Sequence, residues 1–119
     1  MRIAHTLLAG LVLAATPTLA TAFERVADRA AFLSLVEGRS LVGARGVSLN
    51  VARDGTISGR GFGLRVRGGW RWADGYFCRT LETALRDFPE DCQTVAIQGD
   101  VVRFTAERGR GDVADLRLR

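Results

Sequence analysis

Residues 68–79 read GGWRWADGYFCR, and the way this stretch turns back on itself decides the fold. Trp70 and Trp72 precede Asp74-Gly75 and Tyr76 and Phe77 follow it, so this turn dipeptide between two aromatic, extended runs reads as the centre of a β-hairpin. Taking Ala73-Asp74-Gly75 as a three-residue loop, with glycine in the left-handed position, pairs Trp72 with Tyr76 and sets Trp70 opposite Cys78. Those four side chains then share one face of the sheet. Arg71, Phe77 and Arg79 project from the other.

The flanking sequence follows the same grammar. In NVARDGTIS, residues 50–58, a three-residue loop at Arg53-Asp54-Gly55 aligns Val51 with Ile57, whereas a two-residue loop would oppose Val51 to Ser58. In VAIQGDVVRF, residues 95–104, a two-residue Gly99-Asp100 turn aligns Ile97 with Val102 and Val95 with Phe104. GVSLNVA at 46–52 alternates as a half-buried strand, and Val113 to Leu118 reads as the last strand. LETALRDFPED at 81–91 reads as a polar loop or a single helical turn ended by Pro89. Upstream, Asp28 to Glu37 forms the one helix, with Asp28 as its cap, Ala31, Phe32, Leu35 and Val36 at helical spacing, and Gly38 at its stop. The expected fold is therefore mainly β: an antiparallel meander or small barrel of about eight strands. The single N-terminal helix would plug one end or pack on one face.

The N-terminus carries an export signature. Met1-Arg2 supplies a positive start, Leu7 to Ala15 is almost wholly apolar, and Ala20-Thr21-Ala22 has the small-x-small pattern of a cleavage site. Cleavage is expected after Ala22, which places residues 23–119 as one small β-rich domain in the periplasm or outside the cell. The apolar run falls short of the roughly 20 residues a spanning helix needs, so no membrane span is expected. In that compartment Cys78 and Cys92, the only cysteines, have one possible pairing and are expected to form a structural disulfide.

Charge and residue usage narrow the chemistry. The chain has no lysine, and its one histidine, His5, precedes the expected cleavage site. Beyond Ala22, 16 arginines stand against 13 acids, a balance of about +3. Without histidine or lysine, the usual base for a serine or thiol nucleophile, Schiff-base chemistry and histidine metal sites are all missing. No catalytic residue, metal site or cofactor is expected. Glu82, Asp87, Glu90 and Asp91 could supply a carboxylate pair, but together in one polar segment they read as a solvated surface. GRGFG at 59–63 lacks the following helix that a phosphate-binding loop requires.

Two constellations could bind. Trp70, Trp72 and Tyr76 either pack a small core around the disulfide or line a pocket for an apolar ligand. Arg65, Arg67 and Arg71, with Arg60 nearby, occur between Asp54 and Asp74 with no intervening acid and should point outward. They form either a solvated face or a strip for an anionic envelope component. Nucleic acid is not an expected partner.

FERVADRAAFLSLVEGRSL at 23–41, the G-x-W-x-W-x-D-G-x-x-C-R pattern at 68–79 and VVRFTAERG at 101–109 resemble a family of small exported bacterial proteins. Its members often carry the name dihydrodipicolinate reductase. That name implies a Rossmann domain with G-x-G-x-x-G, a nicotinamide cofactor and active-site histidine and lysine, whereas the resemblance itself implies export and a small β fold. The readings are thus an exported β-domain acting by binding, a lipocalin-like carrier of a small apolar ligand, and the reductase that the family's name implies.

Overall fold

The computed structural model of the chain describes residues 2–14 and 22–119. Residues 2–14 form neither helix nor strand, and their leucines stand exposed. Of the expected cleavage motif, Ala20 and Thr21 lie outside the described residues. The elements that follow are β1 (Glu24–Val26), α1 (Arg29–Val36), β2 (Leu41–Val42), β3 (Ser48–Val51), β4 (Thr56–Gly61) and β5 (Leu64–Ala73). They continue with β6 (Tyr76–Glu82), β7 (Asp87–Gln98), β8 (Val101–Thr105), a short irregular turn α2 (Ala106–Gly109) and β9 (Val113–Leu118). Strands β2 to β9 pair antiparallel in the order β7-β6-β5-β4-β3-β2-β9-β8, and β8 returns to β7. The sheet is a closed eight-stranded barrel, and closure leaves no long edge exposed. Strand β1 pairs with β7 at Val95 to Ile97, past the stretch that β6 covers. No helix among the described residues is long and apolar enough to cross a membrane.

Helix α1 stoppers one end of this barrel. Asp28 caps it by accepting from the Ala31 amide at 2.8 Å, and Gly38 leaves it with a φ of 70°. Phe32, with no exposed surface, enters the lumen and meets the rings of Trp70, Trp72, Phe77 and Phe104 at centroid distances of 5.5, 5.2, 5.0 and 6.4 Å. Leu33 and Val36 are buried beside it. Aromatic contacts of this kind add about 0.5–1.5 kcal/mol each to the area they bury, so this cluster is the centre of a modest core. The Trp70 indole donates to the Ala52 carbonyl at 2.7 Å, and Arg53 pairs with Glu37 at 2.7 Å, tying the helix end to the β3–β4 loop.

Turn chemistry sets the registers. Val51 stands opposite Ile57 across the three-residue loop with Gly55 at a φ of 94°, and Ile97 and Val95 stand opposite Val102 and Phe104 across Gly99-Asp100, as expected. The Asp74-Gly75 hairpin differs from expectation. Asp74 and Gly75 take φ of 52° and 82°, a two-residue turn with both central residues left-handed, closed by Ala73 opposite Tyr76. Its twist matches that of the flanking strands, which is why Asp-Gly favours it. The register therefore moves by one residue: Trp72 faces Phe77, Arg71 faces Cys78, and Trp70 faces Arg79. Trp70 and Trp72 still share a face, but Phe77 and Arg79 join them inside the barrel while Tyr76 and Cys78 turn outward.

The segment 81–91 is not a loop. Strand β6 runs on to Glu82 and β7 begins at Asp87, joined by a tight turn in which Thr83 Oγ1 accepts from the Arg86 amide at 3.0 Å and from the Leu85 amide at 3.3 Å. Pro89 is tolerated because the register slips here: Arg79 pairs with Asp91 and Leu81 with Phe88, so Pro89 and Glu90 together oppose Thr80. Such a bulge leaves one residue outside the ladder, where a missing N–H costs little. Cys78 and Cys92 are direct cross-strand neighbours joined by a disulfide on the outer face of this hairpin.

Candidate functional site

Alternation along each strand sends one set of side chains inward, and α1 fills only the end of the barrel that holds the two indoles. The remainder is a cavity of about 610 Å³. Phe77 and Phe104, whose rings touch at 5.4 Å, separate it from Phe32 and form its floor. Its walls are aliphatic, including Leu49 and Val51 from β3, Ile57 from β4, Val66 from β5, Leu81 from β6 and Leu116 from β9. It opens where the β4–β5 and β6–β7 turns come together, and Phe62 and Leu85 at those turns are 65% and 81% exposed. A large apolar side chain in water at the lip of an apolar cavity extends that surface outward.

Glycine helps shape the wall. At Gly68 a β-carbon would collide with the Thr80 carbonyl oxygen, and at Gly59 with that of Ser48. These two positions let neighbouring strands close tightly where a small barrel must bend.

Two polar side chains interrupt the apolar wall, Arg79 on β6 and Gln93 on β7. Arg79 Nη1 donates to the Pro89 carbonyl at 3.3 Å, where the β6–β7 register shifts. Burial lowers the Arg79 pKa from its usual value, and the Asp91 charge across the ladder offsets this only in part. Asp91 is itself engaged, by the Gln93 amide at 2.9 Å and the Glu107 backbone N–H at 3.0 Å. Arg60 and Arg86 contribute to the rim.

The residues singled out from sequence fall elsewhere. Trp70 and Trp72 lie beneath the floor, packed on Phe32, and the cavity lining includes neither of them. Tyr76 is on the outer surface, with the guanidinium groups of Arg25 and Arg108 at 5.3 and 5.7 Å from its ring centroid. Sequence reasoning thus found the aromatic core and missed the cavity above it. A three-residue loop turns Arg79 outward, whereas the two-residue turn that an Asp-Gly pair favours turns it inward, so that pair is the sequence signal for this residue.

Arg65, Arg67 and Arg71 do project outward, yet they do not form one free strip. Arg71 is bound to Glu90 at 2.7 Å, and Arg67 faces Glu82 across the ladder. Arg65 faces Arg60, a like-charged cross-strand pair. Glu90 also stands close to both cysteine sulfurs, but sulfurs joined in a disulfide have no thiolate to offer a cation. Of the four acids considered as a pair, Glu82 and Asp87 face each other across the β6–β7 ladder, Glu90 binds Arg71, and Asp91 turns inward toward Gln93. GRGFG lies in the β4–β5 hairpin, with β5 and no helix after it.

Comparison of the chain with protein-family models, with curated proteins and with solved structures finds no match.

Proposed function

We propose that this is an exported carrier that holds a small apolar ligand in the open half of its barrel. The supporting observation is the cavity of about 610 Å³, aliphatic on its walls and aromatic on its floor. Pockets for small organic ligands run to about 300–1,000 Å³ and are lined in this way, with a few polar groups to fix orientation. Chemistry of the usual kinds has no foothold beyond Ala22, where neither histidine nor lysine occurs. The work assigned to the domain is therefore retention and release.

Titrating the full chain with N-phenyl-1-naphthylamine, a neutral apolar fluorophore, tests the reading. Saturable enhancement at one probe per chain, with quenching of Trp70 and Trp72 just below the floor, is the expected result. Absence of saturable binding would remove the carrier reading.

A second reading, an anion-binding face, is favoured by Arg60 and Arg65 standing opposite each other on the outer surface. Like charges in direct register repel, and an anion between them would relieve this. Retention on heparin that falls with salt and with paired Arg60→Ala and Arg65→Ala would support it, and retention unchanged by the substitutions would reject it.

A further inference from the structure

The cavity is not uniformly apolar, and its polarity has one sign. Among the described residues its ionisable lining consists of Arg60, Arg79 and Arg86, with no carboxylate side chain. Arg60 and Arg86 are exposed at the rim, whereas Arg79 is inside, half-buried on β6 two residues above the floor residue Phe77. We propose that the natural occupant is a single-chain amphiphilic acid, with a carboxylate or phosphate head that pairs with Arg79 and an aliphatic tail lying across the barrel. This rests on the carrier reading above and adds the class of ligand.

The geometry around Arg79 carries it. A guanidinium has five N–H donors in a planar fork. Among the described residues its side chain makes a single hydrogen bond, from Nη1 to a neutral carbonyl, that of Pro89, at 3.3 Å. The carboxylate nearest in register, Asp91, directs its two oxygens to Gln93 and to the Glu107 amide instead. A desolvated cation without a bound carboxylate is costly, and an anionic ligand group supplies the missing partner with charge-assisted, bidentate geometry. Gln93, on the neighbouring strand, offers an amide to the same region of the wall. The tail has a surface to match: Leu49 and Val51 on β3 and Leu116 on β9 belong to strands on the far side of the closed barrel from β6.

The decisive measurement compares ligands of one chain length on the full chain. Dodecanoate, dodecyl phosphate, dodecanol and dodecylamine are titrated by displacement of the neutral fluorophore at pH 7.5. A charge-assisted hydrogen bond predicts that the acids bind about 10- to 100-fold tighter than the alcohol, and the amine weakest. In Arg79→Gln, which keeps a donor for the Pro89 carbonyl, the preference for acid over alcohol should drop to within about fivefold, the scale left to exposed rim charges. Arg79→Lys should restore part of it. A purely structural Arg79 would leave the acid-to-alcohol ratio unchanged, so an unchanged ratio overturns the proposal. Equal binding of acid and alcohol by the wild type overturns it too, while leaving the carrier reading standing. If none of the four chains displaces the fluorophore, the carrier reading falls and takes the proposal with it. The ratio of dodecanoate to dodecyl phosphate binding then separates a carboxylate from a phosphate head.

Discussion

Trp72 faces Phe77 across the β5–β6 ladder, and both rings rest on Phe32, at centroid distances of 5.2 and 5.0 Å. This one pairing organises both halves of the barrel. Toward the helix it completes the aromatic core; toward the open end, period-2 alternation from Phe77 sends Arg79 and then Leu81 into the lumen. The core and the cavity share a strand, and Phe77 is the boundary between them.

The two tryptophans should respond differently to replacement. Trp70 Nε1 has a partner, the Ala52 carbonyl at 2.7 Å, whereas Trp72 Nε1 is buried without one among the described residues. Trp70→Phe gives up a satisfied bond and Trp72→Phe removes an orphaned donor, so Trp70→Phe should be the more destabilising by about 1–2 kcal/mol. Urea unfolding of both variants measures this, and the reverse order would contradict the assignment of partners.

Gly68→Ala should be severe for a side chain of one methyl group. The added carbon meets the Thr80 backbone oxygen, which cannot move without parting β5 from β6. Gly63→Ala is the control for space: no atom of the described residues lies within 4 Å of its added carbon, although its φ of 75° still strains any side chain there. A cost of about 1–2 kcal/mol is expected at Gly63 and clearly more at Gly68, read as the shift in Tm.

Loss of the Cys78–Cys92 bridge should weaken the domain without abolishing it. The bridge spans 14 residues of one hairpin, and closing a ring of that size is worth about 3 kcal/mol in the chain-entropy model. Reduction, or the double replacement Cys78→Ala with Cys92→Ala, should therefore lower Tm by roughly 10–20 °C for a domain of this size. An unchanged Tm under full reduction would show that the hairpin is already ordered in the unfolded chain.

Stability should be flat across neutral pH and fall on the acid side. Glu37 and Glu90 are held below the usual carboxylate range by hydrogen bonds from Arg53 and Arg71, Asp54 by those from Thr56, and Asp115 by Arg103. A carboxyl group with a depressed folded pKa contributes fully above its unfolded value, about 4, and loses that contribution as pH falls through the folded value. The partners Arg53, Arg71 and Arg103 are raised above the usual arginine value by the same hydrogen bonds, so their contribution persists to strongly alkaline pH. Residues 22–119 hold no histidine to titrate between. Denaturation midpoints should coincide at pH 6, 7.5 and 9 and drop below pH ~4; a step between pH 6 and 8 would refute this.

Filling the cavity should separate binding from folding. Leu49→Trp places an indole in the wall at some cost in overpacking, about 1–3 kcal/mol. The variant should remain folded by circular dichroism and lose most of its affinity for the neutral fluorophore. Undiminished affinity would place the probe outside the barrel.

Local chemistry accounts for what the sequence by itself determined: the helix and its Asp28 cap, the strands around 46–61 and 95–118, and the registers at Gly55 and Gly99. Each depends on residues a few positions apart, where hydrophobic period and turn type agree. At Asp74-Gly75 the two cues diverged, because Tyr76 and Phe77 are both aromatic and either can be placed opposite Trp72 by pattern alone. The Asp-Gly turn type favours the observed pairing, and the closed barrel enforces it, since Phe77 is the ring that packs on Phe32 beside Trp70 and Trp72. The cavity belongs wholly to that level. Its lining comes from all eight strands β2 to β9, spread over residues 41–116, and an empty volume between them leaves no trace in the order of their residues.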